Sequence, residues 1–250
     1  MLTPSFGEIS AFALDLDGTL ADTVPIHKEA RLEAYYRMAD ETRDVRFAFI
    51  PDHIHAEAHR HGSNANAIIG WALQSAGIVT DIADKRVQRT VDHKSDIYAE
   101  LSKNGQNEIP GAINFIGKLL LIEPDNVAIV TAAHKKTEVE PFLRRHLLQA
   151  SFPIEKLVCY EDVGQTYLKP HPRAYEIIID RFGLSETPKK LLVLEDSLVG
   201  IMSAKAVGAT VVAIATTHSQ AELADLIGNQ KPDYIASDFK QLGSMVGLAN

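Results

Sequence analysis

Ala11-Phe12-Ala13-Leu14-Asp15-Leu16-Asp17-Gly18-Thr19-Leu20-Ala21-Asp22-Thr23 is the stretch on which the reading of this chain turns. An apolar run that ends in acids and a glycine is the pattern of a buried strand breaking into a loop. The pattern returns downstream. Asn126-Val127-Ala128-Ile129-Val130 ends at Thr131, and Lys156-Leu157-Val158-Cys159-Tyr160 ends at Glu161-Asp162. Leu191-Leu192-Val193-Leu194 ends at Glu195-Asp196, and Thr210-Val211-Val212-Ala213-Ile214-Ala215 ends at Thr216. Tyr234-Ile235-Ala236 is a weaker sixth run. Helical stretches lie between them. Lys135 to Gln149 is amphipathic, with Val139, Phe142, Leu143 and Leu147 on one side. Pro172 to Phe182 has proline near a helix start, where its missing N–H costs nothing. Ser197 to Val207 opens on a good N-cap and is followed by Gly208. Apolar strands alternating with helices predict an α/β fold, a doubly wound parallel sheet covered on both faces.

The stretch from Val24 to Glu108 has no β-branched strand run and reads as helices: Pro25 to Met38, Ile50 to Arg60, Ala65 to Ala76 and Ala83 to Leu101. The polar segment Ser102-Lys103-Asn104-Gly105-Gln106-Asn107 reads as the return linker, and Pro110-Gly111 restarts the core. The expected organisation is an α/β core of residues 1–23 and 109–250, with a helical domain of residues 24–108 inserted after the first strand.

Composition narrows the partners. The 250 residues hold 25 Lys+Arg against 33 Asp+Glu, a formal charge of −8, which disfavours a nucleic-acid or anionic-membrane partner. A small phosphorylated metabolite needs only a local cation and stays open. Cys159 is the sole cysteine, so no internal disulfide can form. Met1 to Ser10 carries no signal-peptide pattern, and no apolar run nears the ~20 residues of a membrane span. A cytoplasmic location is therefore expected. Oligomeric state is not readable.

The carboxyl ends of parallel strands share one edge, where ligands bind. That edge collects Asp15, Asp17, Thr131, Glu195 and Asp196, and Lys169, before Pro170 and the next helix, is a candidate to join them. Carboxylates crowded on one edge repel. Lys169 supplies one positive charge, and a hard divalent cation with oxygen ligands, Mg²⁺, suits the remainder. An aspartate can attack phosphorus and form an aspartyl-phosphate, and a second carboxylate two residues on can serve as acid and base. Metal and lysine offset charge on the transferring group. Gly18 allows close backbone approach to a phosphate, and Thr131 offers a hydroxyl to the same oxygens.

The segment from Asp15 to Thr23 resembles the first motif of the haloacid dehalogenase-like hydrolases. Thr131 fits the second motif, Lys169-Pro170 the third, and Glu195-Asp196-Ser197 with Gly200 the fourth, all in order. The inserted helices resemble the subfamily with a small α-helical cap, which holds phosphoglycolate phosphatases and β-phosphoglucomutase-like proteins. The resemblance implies that Asp15 is the nucleophile and a metal ligand, and that Asp17 is the acid/base and a ligand through its backbone carbonyl. It implies that Asp196 is a metal ligand with Glu195 beside it, and that Lys169 orients the nucleophile. The implied function is Mg²⁺-dependent hydrolysis of a small phosphate monoester.

A phosphomutase resembling β-phosphoglucomutase is the alternative, because Thr23 and His27 stand at that family's spacing. Against it, Gly62-Ser63-Asn64-Ala65 lacks that family's arginine, and Thr131-Ala132-Ala133-His134 lacks its serine. Dehalogenases and phosphonate hydrolases of the superfamily lack the second aspartate, so Asp17 argues against both. A signalling receiver would be about half as long, with no inserted helices. In the helical domain, His27 and the turn Gly62-Ser63-Asn64 are candidate substrate-binding residues. His53, His55, His59 and His61 cluster, with His55 and His59 at the i, i+4 spacing of zinc pairs. No further ligand set accompanies them, so they read as a solvated or cap-rim helix. Cys159 reads as a buried strand residue with no cationic activator.

Overall fold

Strand β1 (Ala11–Leu14) is buried along its whole length in the computed structural model, which describes residues 6–61 and 65–248. An apolar run without polar alternation is what a strand covered on both faces requires. Beyond it, β2 (Ala21–Asp22) leads into helices α1 (Val24–Thr42), α2 (Asp52–His61), α3 (Ala65–Ser75) and α4 (Lys85–Ser102). Strand β3 (Asn107–Glu108) then pairs antiparallel with β2. Helix α1 runs past the expected end at Met38, because nothing in Ala39-Asp40-Glu41 breaks a helix. It stops just before Arg43, which adopts a left-handed φ of 56°.

The chain continues through α5 (Ala112–Ile122), β4 (Val127–Val130), α6 (Glu140–Arg145), β5 (Leu157–Val158), α7 (Tyr160–Val163) and α8 (Arg173–Arg181). It closes with β6 (Leu191–Glu195), α9 (Leu198–Ala206), β7 (Thr210–Ile214), α10 (Gln220–Ala224), β8 (Tyr234–Ala236) and α11 (Phe239–Val246). Six strands form one sheet in the order β5-β4-β1-β6-β7-β8, every pair parallel. Successive strand residues point to opposite faces. Phe12, Leu14, Ile129, Leu192 and Leu194 pack on one side with α5 and α11. Ala13, Val130, Val193 and Val211 pack on the other with α8 and α9. This is the doubly wound sheet the sequence predicts.

The chain divides into two compact units, Met1–Val24 with Asn104–Asn250, and Pro25–Lys103. The helical unit has its own core of Tyr35, Met38, Phe47, Ile69, Leu73 and Val87. No helix among the described residues is long and apolar enough to cross a membrane.

Two local expectations differ. The stretch Lys135 to Gln149 is not one helix: a π-helical turn over Lys135–Val139 precedes the short α6. Pro141 has no N–H to give an α-helical bond, so a regular ladder cannot run through it. The Glu161-Asp162 pair belongs to α7. There Asp162 Oδ2 accepts the Cys159 N–H at 2.8 Å, and Glu161 accepts the Lys135 N–H at 3.1 Å. These acids cap a helix and tie down a neighbouring turn.

Candidate active site

Strand register assembles the site. Leu14 pairs with Ile129 on one side and with Leu194 on the other. One residue further along, Asp15, Val130 and Glu195 therefore stand side by side at the carboxyl edge. The Asp15 N–H donates to the Leu194 carbonyl at 3.0 Å, extending the ladder to the first acid. Lys169 enters from the segment before α8, and its Nζ donates to all three neighbours. The distances are 2.6 Å to Asp15 Oδ1, 2.5 Å to Glu195 Oε1 and 3.1 Å to the Val130 carbonyl. All three side chains of this line are buried.

Glu195 is held from several directions. The Tyr175 hydroxyl on α8 donates to its Oε1 at 2.6 Å, and the Tyr175 ring centroid lies 5.3 Å from Lys169 Nζ. Its Oε2 accepts from Ser197 Oγ at 3.1 Å. Ser197 Oγ in turn accepts the Gly200 N–H at 3.1 Å, so the N-cap of α9 and the buried acid are one unit. A Cβ at position 200 would overlap the Glu195 carboxylate, which explains the glycine.

Asp196 is gripped by two loops. Thr19 Oγ1 donates to its Oδ1 at 2.8 Å, and Thr217 Oγ1 donates to its Oδ2. Gly18 has φ of 80°, and a Cβ there would overlap Asp196 Oδ2 and Thr217. This glycine is needed by the protein's own packing. Thr131 is buried at the end of β4, where its N–H donates to the Val158 carbonyl at 2.9 Å and its Oγ1 accepts the Ala133 N–H at 3.1 Å. Asp17, itself half-buried, lies two residues beyond Asp15 on an otherwise buried loop and bridges to Ala21.

The electrostatics call for a cation. Asp15, Glu195 and Asp196 each offer an oxygen, and these atoms lie within 4.8 Å of one another. Burial pushes Asp15 well above the usual carboxylate range; the Glu195 charge adds to this, and Lys169 opposes it. Burial, then Glu195, raises Asp196 to about 6, against hydrogen bonds from Thr217 and Thr19. Burial disfavours the Lys169 ammonium, but Asp15 and Glu195 outweigh it and hold its pKa well above the ordinary value. One buried ammonium thus serves three buried carboxylates, and all the donors are hard oxygens. The residues present fit a divalent cation. Glu195 and Asp196 have both oxygens engaged by protein donors, whereas only Oδ1 of Asp15 accepts from Lys169.

A prediction follows from the sign of these shifts. Asp15 and Asp196 bind protons more tightly folded than unfolded, so metal-free stability falls as pH rises, over about 4 to about 6 for Asp196. A divalent cation such as Mg²⁺ held by these oxygens would compete with those protons. At a concentration ten times its Kd, it should raise Tm by about 3–6 °C at pH 7.5 and by under about 1 °C at pH 5. Thermal melts at the two pH values measure this, and equal shifts at both would contradict it.

The structure brings together Asp15, Lys169, Glu195 and Asp196, with Asp17 and Thr131 on the adjoining loops of the same edge. His27 lies in the helical unit, where its ring stacks on Tyr98 at 4.4 Å. In the histidine cluster, His53 is exposed and His55 is buried against Tyr35, ring centroids 5.3 Å apart. Gly62, Ser63 and Asn64, with the side chains of His59 and His61, lie outside the described residues. Sequence reasoning missed Thr19, Thr217 and Tyr175. Thr19 stood within the first motif, and Thr217 follows a strand end on the same edge. Tyr175 reads as an ordinary apolar-face position of an amphipathic helix.

Parallel-sheet architecture and this carboxylate–lysine edge define a class. Residues 9–208 match the family model of the haloacid dehalogenase-like hydrolases, and the chain belongs to that family of enzymes. It is similar to the phosphorylated carbohydrates phosphatase of Thermotoga maritima, 28% identical over 203 residues, which cover 80% of this chain and 82% of that protein. The phosphoglycolate phosphatase of Aliivibrio fischeri is 24% identical over 245 residues, 98% of this chain and 99% of that protein. Among solved structures, a family IA HAD hydrolase from Entamoeba histolytica superposes with a TM-score of 0.74 at 23% identity, covering 96% of this chain and 99% of that one. That likeness speaks to the fold.

Proposed function

We propose that this chain is a Mg²⁺-dependent phosphatase that hydrolyses a small phosphorylated metabolite through an aspartyl-phosphate on Asp15. The observation that carries the reading is the Lys169 ammonium bonded to both Asp15 and Glu195 at the carboxyl edge of the sheet. With Oδ1 held by Lys169, Oδ2 of Asp15 is the oxygen that attacks phosphorus. As the new P–O bond forms, the bond to the leaving alcohol breaks, and Asp17 delivers a proton to that alcohol. Asp17, now a carboxylate, takes a proton from the water that attacks the aspartyl-phosphate. Inorganic phosphate leaves and Asp15 is restored. Lys169, the Thr131 hydroxyl and the N–H groups of the Asp15-to-Gly18 loop donate to the phosphoryl oxygens. Asp15, Asp196 and the Asp17 carbonyl, with Glu195 beside them, would hold Mg²⁺, which supplies charge neutralisation on the phosphoryl group.

Two relatives named as phosphatases support an ester of phosphate as substrate. The acidic charge supports a small metabolite over a nucleic acid, in a cytoplasmic setting. His27, Gly62, Ser63 and Asn64 are proposed as substrate-reading residues on their sequence positions alone. The test is a panel of phosphate monoesters assayed with Mg²⁺ and with excess chelator. Phosphate release from several esters, only with metal, is expected. Full activity in chelator would overturn the mechanism. Sugar-phosphate isomerisation without free phosphate would overturn it in favour of a mutase.

Tyr175 acts through Glu195 as a positioning residue. Tyr175→Phe keeps the ring beside Lys169 and removes one hydrogen bond to a buried carboxylate. We expect kcat to fall about tenfold, the scale of one hydrogen bond to a charged group, with KM within about twofold. An unchanged kcat would show that Glu195 needs no such support.

A further inference from the structure

Three consecutive residues after β7, Thr216, Thr217 and His218, reach across the carboxyl edge of the core to the loops that carry its acids. Thr216 Oγ1 donates to the Gly18 carbonyl at 2.5 Å. Thr217 Oγ1 donates to Asp196 Oδ2. His218 Nδ1 lies 3.1 Å from the Asp196 carbonyl, which can only accept, so Nδ1 carries a proton. The same Nδ1 is 3.0 Å from Thr217 Oγ1, which can accept from it while its own hydrogen points to Asp196. The Thr217 methyl is placed as well, since a Cβ on Gly18 would come within 2.7 Å of it. Burial does not explain these contacts, because Thr217 is exposed. What they fix is the direction of one hydroxyl.

Asp196 is thereby held at both ends. Thr19 Oγ1 donates to Oδ1 at 2.8 Å, and Thr217 takes Oδ2. The carboxylate cannot turn about its Cβ–Cγ bond without breaking one of these bonds. A carboxylate oxygen has room for two partners, so each oxygen keeps a place for a cation while a threonine sets its direction. Two hard cations respond differently to such a group. Mg²⁺ demands near-ideal octahedral placement of its ligands. Ca²⁺ accepts about 6–8 oxygens in looser arrangements and often takes both oxygens of one carboxylate. A carboxylate fixed in direction suits the first ion, and one free to turn suits the second. We propose that Thr217 is a positioning residue that, working opposite Thr19, fixes Asp196 for Mg²⁺ and against Ca²⁺. This rests on the cation reading of the acidic edge given above.

The test is calorimetric titration of MgCl2 and, separately, CaCl2 into chelator-treated protein at constant pH and ionic strength. Thr217→Val keeps the side-chain shape over Gly18 and removes the hydroxyl. Its Mg²⁺ Kd is expected to rise about tenfold, the scale of losing a group that orients a metal ligand, with the Ca²⁺ Kd within about twofold. Thr217→Ser restores the hydroxyl and should return the preference for Mg²⁺ to within about threefold of wild type. Ser219→Ala is the control for loosening the same loop, because Ser219 Oγ accepts the Glu222 N–H at 3.2 Å to cap α10. It should leave the preference within about twofold. Equal weakening of both ions in Thr217→Val overturns the proposal, since the hydroxyl would then only offset charge. An unchanged preference, or an equal change in Ser219→Ala, overturns it too. Tm establishes that each variant is folded. Should Thr217→Val melt far below wild type, Thr217→Ala is titrated in its place and judged by the same ratio. If wild-type protein binds neither ion, the cation reading fails and takes this inference with it. Wild-type binding of Mg²⁺ that Thr217→Val does not alter removes only the role of Thr217.

Discussion

Asp15→Asn is expected to lower turnover by about 10⁴-fold or more, the scale seen when a nucleophile is removed, while the fold survives. The amide has nearly the same volume as the carboxylate, and its oxygen can still accept from Lys169 in place of Asp15 Oδ1. What disappears is the attacking charge. The same change relieves a buried carboxylate that burial and Glu195 both push toward the protonated form. Metal-free Asp15→Asn protein should therefore melt about 2–4 °C higher than wild type at pH 7.5, with the gain shrinking toward pH 5. Circular-dichroism melts and phosphate-release assays on the same preparation measure both effects. Retention of more than a few per cent of the wild-type rate would remove Asp15 from the nucleophile role.

Lys169→Met carries the second large effect. The ammonium lies between two buried carboxylates, 2.6 Å from Asp15 and 2.5 Å from Glu195. Taking away one partner of a buried ion pair costs about 3–5 kcal/mol, because the remaining charge is left uncompensated, and this is roughly 10 °C in Tm. The sign of its pH dependence is fixed. Asp15 already has a raised pKa, and losing Lys169 raises it further, so at pH 5 proton uptake relieves much of the strain. As the pH rises, Asp15 must give up that proton beside the Glu195 charge, and the loss grows. Activity should fall about 10³-fold even where the protein is folded, since the phosphoryl group loses its fixed cation. A stability loss independent of pH would show that the lysine serves packing and not charge.

The strand ends were legible because burial on both faces forces an unbroken apolar run, and an abrupt change to acids or a hydroxyl marks where it stops. That places Asp15, Thr131, Glu195 and Asp196 on one edge from the sequence alone. Register did the rest: only the pairing of Leu14 with Leu194 puts Asp15 against Glu195 and leaves room for Lys169 between them. Tyr175 stayed hidden because one helix face serves both the core and Glu195. Thr217 needed the tertiary fold, since nothing local to it signals the grip on Asp196. The helix over Lys135 to Gln149 was read too long because its apolar spacing outweighed Pro141, whose missing N–H decides the local geometry.

The central claim is that phosphorus is transferred to Asp15 before it reaches water. Wild-type protein with Mg²⁺ is mixed with a hydrolysed monoester, quenched in acid within milliseconds, digested and analysed by mass spectrometry. The account predicts a peptide containing Asp15 that carries the mass of one phosphoryl group, appears before steady-state phosphate release, and is absent from Asp15→Asn protein. Steady phosphate release with no such adduct at any quench time, or with the adduct on another residue, would contradict it.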